Sequence, residues 1–255
     1  MNNFIEILNL KKVFGSGESA VHAFGPIDIK IQEGEFISFL GPSGCGKSTL
    51  MLMIAGLLPI TNGKIMIEGK DVYGPKTDIG IMFQDSTLVP WRTVRGNIEL
   101  QLEMRGEKIE NYKEKINDLL NSVSMIDFAE RYPPELSGGM QQRAGFCQTM
   151  VHSPKTMLLD EPLGKLDAMT REKIRADFQF LWMKEKPTVI FVTHSIEEAV
   201  QLSTKIAIIT PRPGLIDQII DIELPYPRNI DVKKSSKFTD YVRRIEGIFH
   251  EFKVI

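Results

Sequence analysis

The stretch Gly41-Pro42-Ser43-Gly44-Cys45-Gly46-Lys47-Ser48-Thr49 has the residue types and spacing to hold a polyphosphate. From Gly41 to Ser48 it fits the pattern G-x-x-x-x-G-K-[ST]. Glycines let such a loop fold into a concave nest of inward-pointing N–H groups, and a helix starting behind it adds its positive end. Lys47 is then placed to reach β- and γ-phosphates, and Ser48 to offer its hydroxyl to Mg²⁺. The plain alternative is a glycine-rich turn. The flanking runs, Phe36–Leu40 as a buried strand and Leu50–Leu58 as an apolar helix, favour a nucleoside triphosphate site. Cys45 lies inside this nest, where a helix N-terminus lowers a thiol pKa; the competing reading is a buried, inert thiol.

Further along the chain other residues have chemical potential. Gln84 ends the apolar run Ile79–Phe83 and has the reach for Mg²⁺ or an attacking water, although a polar strand terminus is the commoner role. Ser137-Gly138-Gly139 opens a helix that runs to His152. Serine is an ordinary N-cap, but serine and two glycines before a helix also make a second anion nest, one without lysine. Thr156–Leu159 reads as a strand ending in Asp160-Glu161-Pro162. That places Asp160 to reach the water shell of Mg²⁺ and Glu161 to activate an attacking water. His194 ends the buried strand Pro187–Thr193, expected beside the strand of Asp160, which directs it toward the γ-phosphate. Phe14 precedes the loop Gly15–Ser19; it can stack on a purine base or serve as an ordinary core aromatic.

The elements that must position these residues alternate in character. Glu6–Phe14 and Val21–Gln32 are partly alternating strands, with Ile27, Ile29 and Ile31 on one face; Lys64–Glu68 is another strand. From Pro90 to Arg131 the chain turns helical and charge-rich, with helices predicted over Ile109–Leu120 and Met125–Arg131. Glu107, Lys108, Glu110, Lys113, Glu114 and Lys115 read as a solvated helix face. Glu172–Lys184 follows as an amphipathic helix burying Ile174, Phe178, Leu181 and Trp182. Ile196–Leu202 is then a helix, Lys205–Thr210 and Ile216–Leu224 are strands, and Val232–Phe252 is helical.

Composition narrows the class. The chain of 255 residues is long enough for one large domain or two small ones. Its 31 Lys and Arg against 33 Asp and Glu argue against nucleic acid as a partner held by a basic field. The two cysteines, Cys45 and Cys147, suit a reducing, cytosolic setting better than a disulfide scaffold. The start Met1-Asn2-Asn3-Phe4-Ile5-Glu6 carries no visible export signal. The apolar run Leu50–Ile60 is shorter than the ~20 residues of a membrane span, so membrane association is expected through a partner.

Taken together, these segments resemble the ATP-binding subunit of an ABC transporter over nearly the whole chain. Residues 41–49 match the Walker A motif, Gln84 the Q-loop, Leu136–Arg143 the signature motif, Met157–Glu161 Walker B, Leu166-Asp167 the end of the D-loop and His194 the switch histidine. Finer fragments resemble the nitrate/sulfonate/taurine importer subgroup. These are Leu88-Val89-Pro90-Trp91, Pro162-Leu163-Gly164, Arg212-Pro213-Gly214 and Leu224-Pro225-Tyr226-Pro227-Arg228.

The resemblance implies an α/β fold, a P-loop NTPase cassette with a mainly parallel core sheet, an antiparallel β subdomain and an inserted helical subdomain. One ATP-binding domain is expected over residues 1–230, with its helical insertion at about 90–150, and a helical tail over 231–255. The implied cofactors are ATP and Mg²⁺, the metal ligands being Ser48, Gln84 and Asp160. The nucleotide contacts are residues 41–49, Phe14, Gln84, Ser137, Gly138, Gly139, Gln141 and Asp167, and the catalytic residues are Lys47, Glu161 and His194. The implied partners are a second copy of the chain in a nucleotide sandwich, a transmembrane permease and, indirectly, a soluble solute-binding protein. The implied place is the cytoplasmic face of the membrane.

Two departures from the family pattern stand out. Lys165 occupies a D-loop position that is usually small, and Gln148 stands where an arginine is usual, in a helix that also holds Gly145. A soluble ABC ATPase without a transporter usually has two cassettes or a long coiled-coil insertion, and this chain shows neither. A non-hydrolysing sensor is disfavoured by the presence of Lys47, Asp160, Glu161 and His194 together. The loop at Trp91 is where the family's permease would dock; alternatively, Trp91 pins the insertion to its own core.

Overall fold

A computed structural model describes residues 3–253; residues 1–2, the start of the stretch read for export, and residues 254–255, the end of the expected tail, lie outside it. In chain order the strands and helices begin with β1 (Ile5–Phe14), β2 (Val21–Ile31), β3 (Phe36–Leu40), α1 (Lys47–Ile54), β4 (Asn62–Ile67), β5 (Lys70–Asp71) and β6 (Ile79–Met82). Next are α2 (Val94–Glu103), α3 (Lys113–Ser122), α4 (Gly138–Met150), β7 (Thr156–Asp160) and α5 (Ala168–Glu185). Then come β8 (Thr188–Thr193), α6 (Ile196–Leu202), β9 (Lys205–Ile209), β10 (Ile216–Asp221), α7 (Ile230–Lys233) and α8 (Ser236–Glu251). The chain forms two compact units: residues through Thr77 together with those from Thr188 onward, and Asp78–Pro187.

The first unit holds an antiparallel layer and a mainly parallel one. β1 pairs antiparallel with both β2 and β4, and β5 extends β4. Ile27, Ile29 and Ile31 are buried, as strand alternation requires of a sheet with one covered face. In the second layer β3 runs parallel to β8 and β9, and β10 closes the edge antiparallel to β9. Every residue of β3 and β8 is buried, which is why both read as continuous apolar runs rather than alternating ones. One core cluster joins Leu40 at the end of β3, Ala199 and Val200 of α6, and Phe238, Ile245 and Phe249 of α8.

The helix after the phosphate loop is shorter than its apolar run suggests. It stops at Ile54 instead of Leu58, because Gly56 takes φ 72°, a left-handed conformation that ends an α-helix. Gly56 also runs so close to another loop that a Cβ there would sit 1.9 Å from the Gly74 carbonyl oxygen.

In the second unit β6 and β7 are parallel, and α4 packs against β6. The helix predicted from Glu172 starts four residues earlier, at Ala168, because Asp167 caps it by accepting hydrogen bonds from Met169 N and Thr170 N. The helix predicted over Met125–Arg131 is only a 3-10 turn, Ile126–Phe128. Along α4, Phe146 stacks on Phe178 of α5 with ring centres 4.0 Å apart, and the Arg143 guanidinium pairs with Asp177 at 2.9 Å.

Candidate functional site

The phosphate loop joins β3 to α1 within the first unit, and its geometry follows from its glycines. Gly46 sits at φ 101°, and a Cβ there would lie 2.8 Å from the Phe24 ring and 2.9 Å from the Ala23 carbonyl oxygen. A Cβ on Gly41 would meet the Ile209 carbonyl oxygen at 2.8 Å. Both positions therefore require glycine, the first for conformation and closeness and the second for closeness alone. The Lys47 ammonium donates to the carbonyl oxygens of Gly41 and Pro42 at 2.8 and 2.9 Å, which brings its charge back across the loop.

The start of α1 fits an anionic ligand. Helices α2, α4, α5 and α8 each begin at a side-chain cap, supplied by Thr93, Ser137, Asp167 and Ser235. By contrast α1 begins at Gly46, with no side-chain cap and no acidic residue in its first turn. Its positive end thus lies beside the exposed loop residues Ser43 and Gly44, and Ser48 of its own first turn is exposed as well. Pro42 and Thr49 are half-buried beside them.

Of the two readings of Cys45, the buried thiol is the one that fits this setting. The side chain is 1 % exposed, and burial raises the thiol pKa more than Lys47, with its ammonium 3.9 Å from the sulfur, lowers it. The thiol is a packing group of the loop.

In the sequence Arg212-Pro213-Gly214 reads only as a subgroup fragment. The structure places it against the phosphate loop. Arg212 Nη2 donates to the Gly44 carbonyl oxygen at 3.2 Å, and a Cβ on Gly214 would sit 2.1 Å from the Cys45 carbonyl oxygen. A glycine preceded by arginine and proline was the available signal; the partner across the fold was not.

In the same unit His194 is exposed, directly after β8, in a turn tied by its neighbours. Thr193 Oγ1 accepts from Ser195 N at 3.0 Å and donates to Glu198 Oε2 at 2.7 Å. Phe14 is 42 % exposed, with the Lys12 ammonium 4.8 Å above its ring.

The second unit gathers Gln84, Asp160, Glu161 and the signature residues. Asp160 is the last residue of β7, and Glu161 takes φ 43°, a left-handed conformation that costs a non-glycine residue of order 1 kcal/mol and recurs at functional sites. A Cβ on Gly164 would be 3.5 Å from Gln84 Nε2 and 3.9 Å from Glu161 Oε2, so both side chains converge over that glycine. Lys165 pairs with Asp85, one residue past Gln84, which explains how this D-loop accommodates a long cation.

Ser137 caps α4 by accepting from Met140 N. The two glycines after it differ. A Cβ on Gly139 would sit 2.3 Å from the Thr170 methyl carbon of α5, whereas one on Gly138 would meet only the Leu166 side chain at 3.7 Å. Gly139 is thus required by packing, and Gly138 leaves an exposed, uncrowded backbone at the helix start. Gln141 directs its amide into its own unit, donating to the carbonyl oxygens of Pro133 and Leu136. Asp167, exposed, caps α5, and its hydrogen bonds from Thr170 hold its carboxyl below the usual range.

The donor set also fits a hard divalent cation held mainly through a bound polyphosphate. Ser48 in the first unit and Asp160 in the second each carry an oxygen donor of the kind such a cation takes, and no group of three or more His, Cys, Asp or Glu side chains gathers among the described residues as a protein-only metal cage would require.

Comparison with known proteins gives the family. A family model described as ABC transporter matches residues 24–164. A taurine import ATP-binding protein of Jannaschia sp. is 39 % identical over 240 residues, 92 % of this chain and 89 % of the relative. An aliphatic sulfonates import ATP-binding protein of Bacillus licheniformis is 38 % identical over 219 residues, 86 % of this chain and 85 % of the relative. An uncharacterized ABC transporter ATP-binding protein of Methanocaldococcus jannaschii is 41 % identical over 247 residues, 97 % of this chain and 91 % of the relative.

Among solved structures, a dimeric ATP-binding cassette in a post-hydrolysis state with ADP and Pi is 30 % identical with a TM-score of 0.74. That match covers 86 % of this chain and 99 % of the other. The antiparallel layer, the parallel strands bearing the phosphate loop and the helical segment are those of the expected cassette fold. The family model spans more than half of the chain, and the relatives match it almost end to end. The chain therefore belongs to the ABC transporter family, as its ATP-hydrolysing cassette.

Proposed function

We propose that this chain powers the import of a small sulfonate or related oxyanion through a separate membrane permease, working as a dimer on the cytoplasmic face. The observation that carries the mechanism is the pair of anion-accepting helix starts on one chain: the lysine-bearing loop before α1 and the exposed Ser137-Gly138 turn before α4. One set of motifs per chain means that two copies bring two complete sets together. ATP then lies between the Walker A loop of one copy and the signature turn of the other. The solute class is supported by the relatives named for taurine and sulfonate import.

In this reading Lys47 and the loop N–H groups bind the β- and γ-phosphates, while Ser48, Gln84 and Asp160 serve the Mg²⁺. Bound Mg²⁺ supplies charge neutralisation at the phosphates. Glu161 accepts the proton of the attacking water, and His194 orients the γ-phosphate end. Phe14 offers its exposed ring to the base. Gln141 and Asp167 hold the signature turn and the start of α5 in shape. Exposed Trp91 is the contact for the permease, which in turn receives solute from a soluble binding protein.

The test is Glu161→Gln, which keeps shape and removes basicity. Phosphate release with ATP and Mg²⁺ should fall by about a hundredfold or more, the usual share of general base catalysis. Light scattering should show the variant accumulating as an ATP-bound dimer. Parental turnover in the variant overturns the assignment of the base, and a variant that stays monomeric with ATP overturns the sandwich.

A further inference from the structure

We infer that Tyr226 and Arg228 are positioning residues for His194, because together they cap the far end of the short helix that begins two residues after that histidine. The inference rests on the role proposed for His194. Helix α6 has seven residues, about two turns, too few to be stable alone in water. Its last carbonyl groups have no partners within the helix and need them from elsewhere. Arg228 Nη1 donates to the carbonyl oxygens of Val200 and Ser203, both at 2.7 Å, and the Tyr226 hydroxyl donates to that of Leu202 at 2.9 Å. In return Gln201 Nε2 of α6 donates to the Arg228 carbonyl oxygen at 3.2 Å.

Arg228 suits this place in both charge and shape. A cation at a helix C-terminus is favourable, more so when partly buried. The side chain is 1 % exposed, and its other donors go to Leu224 and Ile222 carbonyl oxygens just beyond β10, so one guanidinium joins α6 to that segment. All five guanidinium N–H groups are used in this way, which the three donors of a lysine cannot reproduce. The Tyr226 ring lies 4.1 Å from the guanidinium carbon and covers it.

At the other end, Ser195 caps α6 and Thr193 bonds to Glu198, so His194 sits in a turn that is part of the helix's own N-terminal bonding. The helix is a strut fixed at both ends, one end just after the histidine. Loosening the Tyr226–Arg228 end lets the strut tilt, and a displacement near 1 Å at a reacting group can cost up to about a hundredfold in rate.

The experiment compares Tyr226→Phe, which removes one hydrogen bond and keeps the ring, with Arg228→Lys and Arg228→Met in the full chain. Nucleotide affinity should stay within about twofold, kcat should fall by about tenfold for Arg228→Met and less for the other two, and amide exchange over 195–203 should quicken while α1 is unchanged. A purely structural role is separated by a double-mutant cycle: in a His194→Ala background, Tyr226→Phe should cause no further loss of kcat. An equal loss in both backgrounds overturns the inference, as does parental kcat in Tyr226→Phe. Should Arg228→Met fail to fold, Tyr226→Phe and Arg228→Lys decide. Failure of the ATPase reading itself shows separately, as a parent chain without turnover.

Discussion

Two opposing effects act on the Cys45 thiol. The start of a helix and the Lys47 ammonium favour the thiolate, while enclosure beneath the loop favours the neutral thiol. Enclosure wins: burial is the largest influence and the pKa rises. Gly41 packs against the sulfur, and a Cβ there would come within 3.1 Å of it, so an alkylating reagent has no line of approach in the folded loop. We predict that native chain exposed to a maleimide is labelled slowly at Cys45, at the same rate with and without ATP, and rapidly once unfolded in urea. Intact-mass measurements over time read this directly, and fast native labelling that ATP slows would refute it. The same balance of local signal against enclosure explains which site residues were legible. Lys47, Asp160, Glu161 and His194 declare themselves by type and order, whereas the buttress from Arg212 to Gly44 depends on a pairing 168 residues apart.

Helix α4 shows how far a single element can be read. Its start was legible, since a serine cap before glycines is a local signal. Its two departures from the family pattern become intelligible only through neighbours. Gln148 is buried and donates to the Asn97 carbonyl oxygen of α2 at 3.0 Å, so a neutral amide fills a place where an unpaired cation would be costly. Gly145 has no such justification: its φ is not left-handed, and an added Cβ would meet only the Met82 terminal carbon at an ordinary 3.8 Å. Gly145→Ala should therefore stabilise the chain by up to ~1 kcal/mol, the helix-propensity difference, and raise the thermal midpoint by about 2–4 °C. A lowered midpoint would mean that the site is more crowded than its geometry indicates. Element ends proved less legible than element cores for the same physical reason. The apolar run past Ile54 continues, but Gly56 leaves the helix to pass Gly74, and the start of α5 is set by Asp167, a cap rather than an apolar residue.

In the proposed transport role the chain works at a membrane. No helix among the described residues is long and apolar enough to cross a bilayer, so the proposed work in transport requires a docking surface. The loop before α2 has the properties of one. Leu88 is buried and anchors it, and Asn97, fully buried, accepts from Val89 N at 2.6 Å and donates to the carbonyl oxygens of Val89, Arg92 and Thr93. Trp91 nevertheless stands 77 % exposed, which rules out the reading that it pins this loop to its own core. A rigid loop presenting a tryptophan loses little entropy on binding, and such side chains dominate interface energies, with truncation often costing ~2 kcal/mol or more. We therefore expect Trp91→Ala to keep its fold, with a stability change within about 0.5 kcal/mol because little packing is lost. Isolated-subunit ATP turnover should be unchanged, while co-purification with the permease should fall sharply. Retained co-purification would remove Trp91 from the interface. Lost turnover in the isolated subunit would instead place the tryptophan's role inside the cassette, since no permease is present in that assay to mediate it.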